Sequence, residues 1–537
     1  MTTPSPDQSG AWQRSITRRF LKWLFSWRTA RRLLISLACI VTLLALFYAE
    51  ENIRGKHAWD KYRQKLEGRG EQLDLAAFIP KAVPDDQNFA ATPLIKSWFV
   101  HSNYVFKEVW KGDNYQQAQG HVAAPKSRPD TYTRQFLDLA AWGKAFDVVR
   151  AGKMTGWQKF ASDKLDLESR AKAAPPVLEG LKTGDVMFAE LRTAGQRPYS
   201  RYPVQYGLED PWGILLPHLN KVKGACLRLQ LKACAELATG QSEAALEDVK
   251  LIFRLADSVK DEPFIISYLV RIACLQMATQ PIWEGLCEHR WNDAQLEELQ
   301  TRLQRYDFVA DLKLPLDCER AAGVLTVDLL LHGKYHLAQL ANTDDPRVTA
   351  VDLVFRIMPR GWYYQEQLSY LRLYQVQLGG GIDTAKRTIS PQQINFGANY
   401  LGRTMYGVGS AGDEFRALAI DHCVVASLLL PALSKLSVRA ATAQTAADQA
   451  AIACALERYR LANGQFPQTL DALVPRFISQ LPHDVINGES YNYRRTDDGQ
   501  FVLYSVGWNE KDDGGVPGKT LFDDKQGDWV WQYPARQ

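Results

Sequence analysis

Residues 446–461, AADQAAIACALERYRL, lead into Asn463-Gly464-Gln465-Phe466-Pro467, and this stretch decides how the C-terminal part of the chain is read. Small and apolar residues run through it without glycine or proline, which predicts a helix; Asn-Gly ahead of Phe-Pro ends it. Leu470 to Leu473 predict one further helical turn. Downstream, Tyr491-Asn492-Tyr493-Arg494 and Phe501-Val502-Leu503-Tyr504 flank Asp497-Asp498-Gly499, the pattern of a two-strand meander. The chain then closes through Tyr504-Ser505-Val506-Gly507, Asp512-Asp513-Gly514-Gly515 and Gly527-Asp528-Trp529. A helix followed by short strands predicts an α+β unit over residues 416–537.

Working back, the strongest helical periodicity lies between Leu216 and Leu303. Leu227, Leu231, Cys234, Leu237 and Ala238 form one apolar stripe; Gly240 ends that helix, Ala244 to Ala256 restart the period and Pro263 breaks it again. The run from Ala235 to Pro263 resembles a tetratricopeptide-type helix pair, with no second copy at a period of about 34 residues. A helical hairpin inside a larger α domain is the alternative. Residues 216–415 therefore read as a helical domain. Residues 88–215 are rich in Trp, Tyr and Pro and read as short helices and loops, and residues 50–87 as a juxtamembrane helix and linker ended by Pro80 and Pro84. The expected fold class is mainly α with a C-terminal α+β domain.

Leu33 to Ala49, LLISLACIVTLLALFYA, carries no charge. As a helix it spans about 25 Å, near the lower limit for crossing a bilayer. A core helix and a cleaved signal peptide are the alternatives; no small-residue cleavage pattern follows, since Phe47-Tyr48-Ala49 puts rings where small residues are needed. Arg14, Arg18, Arg19, Lys22, Arg28, Arg31 and Arg32 precede the segment without an acidic residue among them, and Glu50-Glu51 follow it. Residues 1–32 are thus expected in the cytoplasm, 33–49 as a single transmembrane helix in contact with lipid, and the bulk in the periplasm of a bacterial inner membrane. Ile16, Phe20, Trp23, Leu24 and Trp27 at helical spacing predict an interfacial amphipathic helix upstream, a disordered basic tail being the alternative.

A length of 537 residues favours several folded units, and 46% hydrophobic against 23% charged residues excludes disorder over most of the chain. The net charge of +4 is accounted for by the N-terminal cluster, leaving a slightly acidic body that is unsuited to nucleic acid. The eight cysteines form no CxxC pair, which removes zinc-ribbon and thioredoxin-like chemistry. Gly407-Val408-Gly409-Ser410-Ala411-Gly412 has dinucleotide-loop spacing without the preceding strand, and Gly514 to Thr520 is one residue short of a phosphate loop. His332 and His336 would share a helix face, but no third ligand is near in sequence. Asp421-His422 and His483-Asp484 have no identifiable nucleophile to serve.

The order described for the C-terminal part resembles the globular domain of type II secretion major pseudopilins. Ala455-Leu456-Glu457-Arg458-Tyr459-Arg460 and Asn463 to Pro467 are similar to the end of that family's long helix and its following turn, and Val424 to Leu436 is similar to its apolar N-terminal helix. The Gly-Phe processing site is missing. The resemblance implies a calcium ion under the last loop, held by aspartates and carbonyls. Ser505 to Glu510 align with the family's Ser-Leu-Gly-Ala-Asp-Gly, which puts Asn509 at its aspartate, and Asp528-Trp529 match its late Asp-Trp. Asn509, Asp512, Asp513, Asp524 and Asp528 are therefore the candidate calcium ligands, an ordinary hydrogen-bonded turn being the alternative. With no catalytic constellation, the expected role is non-catalytic binding or scaffolding with envelope protein partners. The alternatives are an accessory component of a type II secretion or type IV pilus-like machine, and an envelope hydrolase whose site is assembled from distant residues.

Overall fold

A computed structural model of the chain describes Trp23 and residues 26–102, 105–106, 114–123, 134–152, 159–162, 167–341, 346–405, 416–417 and 419–534. Most of the upstream amphipathic helix and the Gly407–Gly412 loop lie outside these residues, as does the boundary expected near 415. The protein is mainly helical, with few strands.

Helix α1 (Trp27–Glu67) begins at Ser26, whose Oγ accepts the Thr29 N–H at 3.3 Å. Its first half leaves Leu34, Leu43 and Leu46 more than half exposed, and its second half buries Trp59 and Leu66. Chain order then gives α2 (Leu139–Arg150), α3 (Leu167–Leu181), α4 (Asp185–Gly195), α5 (Pro217–Ala238), α6 (Ser242–Ser258) and α7 (Ile265–Cys287). Next come α8 (Asp293–Leu303), α9 (Lys313–Leu331), α10 (Pro346–Ile357), α11 (Arg360–Leu378), α12 (Pro391–Met405) and α13 (Leu433–Asn463). Strands β1 (Asn492–Arg495), β2 (Phe501–Ser505) and β3 (Trp529–Gln532) close the chain.

Local chemistry sets these boundaries. Gly240 takes a φ of +77° between α5 and α6, a left-handed turn that residues with a Cβ rarely adopt. Pro263 stands in the link to α7, and a capping box between Asn292 and Gln295 starts α8. Helix α5 buries Leu229 and Leu237 in one core with α6 and α7, and Leu231, Ala235 and Ala238 in a second core with α2 and α3.

Helix α13 is the centre of the fold. From Ala440 to Glu457 every residue is buried, because alanine, serine-sized and β-branched side chains let neighbours close in on all sides. Its body-facing side meets α7 and α8; there Gln444 Oε1 accepts the Phe308 N–H at 2.7 Å. On the sheet side, Gln449 Nε2 donates to the Trp529 carbonyl at 2.6 Å. The sheet is an antiparallel meander in the order β1-β2-β3, with Arg495 opposite Phe501 and Ser505 opposite Trp529. The predicted pair of strands is present, Gly499 turns it at a φ of +76°, and β3 extends it. One hydrophobic cluster runs from Trp59 through Trp283 and Leu456 to Trp531, so residues on both sides of position 415 share a core.

Among the described residues, three stretches are long and apolar enough to cross a membrane: α1, α7 and Val424–Asn463. In the latter two, 61% and 47% of the apolar window is buried inside the protein, whereas none of it is in α1. Helix α1 alone has its apolar window wholly uncovered, and it is the candidate membrane span.

Candidate functional site

The terminal loop uses its acidic residues on its own backbone. The buried Asp528 carboxylate accepts the Gly515 N–H at 2.7 Å and the Asp513 N–H at 3.3 Å. Asp512 Oδ1 accepts the Gly514 N–H at 2.8 Å and the Tyr504 hydroxyl at 3.2 Å. Asn509 donates through Nδ2 to Asp513 Oδ2 at 2.8 Å and accepts the Lys511 N–H at 3.2 Å. Asp524 is exposed; its neighbour Asp523 accepts the N–H groups of Lys519, Lys525 and Gln526. These side chains fit a hydrogen-bonded turn, with most of their oxygens engaged by amides. Among the described residues no group of three or more His, Cys, Asp or Glu is arranged to hold a metal ion.

The histidines singled out in the sequence go separate ways. His332 Nδ1 lies 2.8 Å from the Asp328 carbonyl, and His336 sits near Asp352 and Arg356. His422 packs on the Trp362 ring, with centroids 5.2 Å apart, while Asp421 accepts from Arg416 at 3.1 Å. His483 Nε2 lies 3.0 Å from the Lys386 carbonyl. Asp484, whose pKa burial raises, is held by the Ser505 hydroxyl and by the N–H groups of Ile486 and Val506. These interactions order loops; none forms a nucleophile–base–orienter chain.

Several buried ion pairs, invisible in the sequence, tie helices together. Arg170 of α3 pairs with Glu284 of α7 and lies 3.4 Å from Glu288, and both members of the first pair are almost wholly buried. Glu284 also accepts the Leu137 N–H and the Gln280 amide, both at 2.8 Å. Both Glu284 oxygens are thus hydrogen-bonded, which is what a buried carboxylate needs to persist.

Two concave surfaces stand out among the described residues. The larger, about 780 Å³, lies among α4, α6 and α8 and carries both signs of charge. Its Lys250 pairs with Glu247 and Glu298 at 2.8 Å, Arg192 with Asp248 and Arg302 with Asp257, and Arg254 donates to the carbonyls of Gly195 and Arg197. Its charges largely satisfy one another. The second, about 380 Å³, is apolar and lies where five segments meet: Leu75–Ile79 after α1, the 206–216 loop, the start of α7, α9 and the start of α13. Trp212 in its wall is fixed by an indole N–H donated to Thr326 Oγ1 at 2.7 Å.

Three charged side chains line this apolar groove: Glu319 of α9, and Lys435 and Arg439 one turn apart on α13. None has an ion-pair partner among the described residues, in contrast to the larger groove. Burial beside apolar atoms pushes the Glu319 carboxyl up to about 7. An apolar hollow with a few convergent polar groups, one of them perturbed by desolvation, is how a binding site for a small or chain-like ligand is built. No family model, curated protein or solved structure matches the chain. The groove therefore stands on its own geometry.

Proposed function

We propose that this chain is a membrane-anchored binding protein of the bacterial envelope, whose helical body takes up an apolar ligand in the groove between α9 and α13. The observation that carries this reading is the apolar groove, bearing two cations on α13 with no ion-pair partner among the described residues and one desolvated carboxyl. The ligand is an amphiphile with a single apolar chain against Phe78, Ile265 and Leu436 and an anionic head at Lys435 and Arg439. Leu33–Ala49 is a single membrane span that holds the N-terminus in the cytoplasm and the body in the periplasm. The uncovered window of α1 and the basic residues before it support that orientation.

Binding of a fluorescent single-chain carboxylate amphiphile to the full chain in detergent-free nanodiscs tests the groove. Saturable binding is expected, lost on Leu436→Trp, which fills the hollow, and weakened about tenfold by Lys435→Glu. Binding indifferent to both changes would remove the groove from the proposal. Protease protection of the C-terminus in intact spheroplasts would sink the topology.

A second reading is a pseudopilin-like C-terminal unit serving as an accessory of a secretion or pilus-like machine. The long helix α13 followed by an antiparallel meander supports it. Co-purification with pseudopilins should then depend on residues 434–534.

A further inference from the structure

Resting on the membrane-anchored reading, we infer that α10 is a second membrane contact, a seat that lays its apolar face into the head-group region beside the point where α1 leaves the bilayer. The corner between α10 and α11 is stapled to that point. Tyr48, at the end of the uncharged segment, donates its hydroxyl to the Ile357 carbonyl, and the Phe47 and Trp362 rings meet edge to face with centroids 6.3 Å apart. Asn52 Oδ1 accepts the Gly361 N–H at 2.8 Å, and the Trp362 indole donates to Glu51 at 3.2 Å. Ile357 is therefore at the depth of Tyr48.

From there α10 turns apolar side chains outward. Leu353 and Ile357 are 62% and 65% exposed, one helical turn apart, with Val354 beside them. The opposite face is core: Phe355 and Met358 pack with Val327 and Tyr363. A rise of 1.5 Å per residue keeps Leu353 within about 6 Å of Ile357 along the axis. Arg356, which also pairs with Asp352 at 3.0 Å, and Arg360 are exposed beside the face, as cations at a lipid head-group surface are. An exposed Leu-Val-Ile face on a water-soluble surface would be a liability, but next to a membrane-exit helix it continues the apolar surface of α1. The occupant fitting both chemistries is an anionic phospholipid interface.

The test places the full chain in nanodiscs of phosphatidylethanolamine and phosphatidylglycerol containing a trace of phospholipid with a diazirine in the upper acyl chain. After irradiation, lipid adducts are mapped by mass spectrometry. Adducts are expected on residues 351–360 as well as on 27–49. Combining Leu353→Asp with Ile357→Asp should lower the first set about tenfold and leave the second unchanged. Adducts on 27–49 alone overturn the seat while the anchor stands; adducts on neither overturn the anchor as well. A photoreactive residue at position 353 that captures a protein in whole cells, with no lipid adduct in nanodiscs, overturns the seat in favour of a protein contact. The wild-type adduct map decides by itself, so the test survives a variant that fails to fold.

Discussion

Gly55 of α1 and Gly361 of α11 meet backbone to backbone: a Cβ on Gly55 would lie 2.2 Å from the Gly361 carbonyl oxygen, and one on Gly361 would lie 1.9 Å from the Glu51 carbonyl oxygen. No side-chain rotation relieves such an overlap. Gly361→Ala is expected to part the two helices and to cost about 1–3 kcal/mol. A lowered Tm and new proteolysis near residues 67–75 would report it. Gly120→Ala, where an added Cβ meets nothing within 4 Å, is the control and should leave both unchanged.

The body carries carboxyls that burial keeps protonated. Glu366 accepts the N–H groups of Val424 and Val425 at 3.2 and 3.1 Å, yet desolvation raises its pKa from 4.5 to about 8. Glu319 is raised to about 7 by the same cause. The native protein therefore holds more protons than the unfolded chain between about pH 4.5 and 8, so stability falls as pH rises through that window. A Tm at about pH 8.5 several degrees below that at about pH 5.5 is expected. Glu366→Gln should shrink the difference; an unchanged difference would mean other groups set the slope.

Asp528 organises the terminal loop through two backbone amides, so Asp528→Ala should leave them unpaired and cost about 1–3 kcal/mol. Because the loop is satisfied by its own amides, millimolar calcium is expected to leave the Tm of the wild-type protein unmoved. A calcium-dependent rise of several degrees, lost in Asp528→Ala, would instead place the ion in the loop.

Arg170→Met strands the buried Glu284 carboxylate and is expected to cost about 3–5 kcal/mol. The double variant Arg170→Met with Glu284→Met removes both charges and should recover a large part of that loss. Denaturation midpoints of the wild type, Arg170→Met, Glu284→Met and the double variant give the coupling directly; strict additivity would deny the pair its role.

Elements specified by neighbours in sequence were legible beforehand. The break at Gly240, the restart through Ala256 and the break at Pro263 depend on local periodicity and on backbone conformations that glycine and proline impose. The Asp-Asp-Gly turn between β1 and β2 is equally local. The loop around Asp512 and Asp528 was recognisable as a cluster of oxygen donors. Its partners were not, because composition does not say whether an aspartate faces an ion or the N–H of Gly515. The apolar groove was illegible: Phe78, Ile265, Glu319 and Leu436 lie far apart in the chain, and none is unusual in its own segment.

By itself, then, the sequence determined that the chain is mainly helical, that Leu33–Ala49 is uncharged and long enough to span a bilayer, and that a helix followed by strands ends it. Those properties follow from short-range periodicity and from the absence of charge. Tertiary structure alone decided that α13 is buried on every side from Ala440 to Glu457, since an alanine-rich helix suits a surface or a core equally well until neighbours close on it. It alone placed Gly361 against Gly55, Glu319 in an apolar hollow and Ile357 beside Tyr48, contacts between residues that only the folded chain brings together.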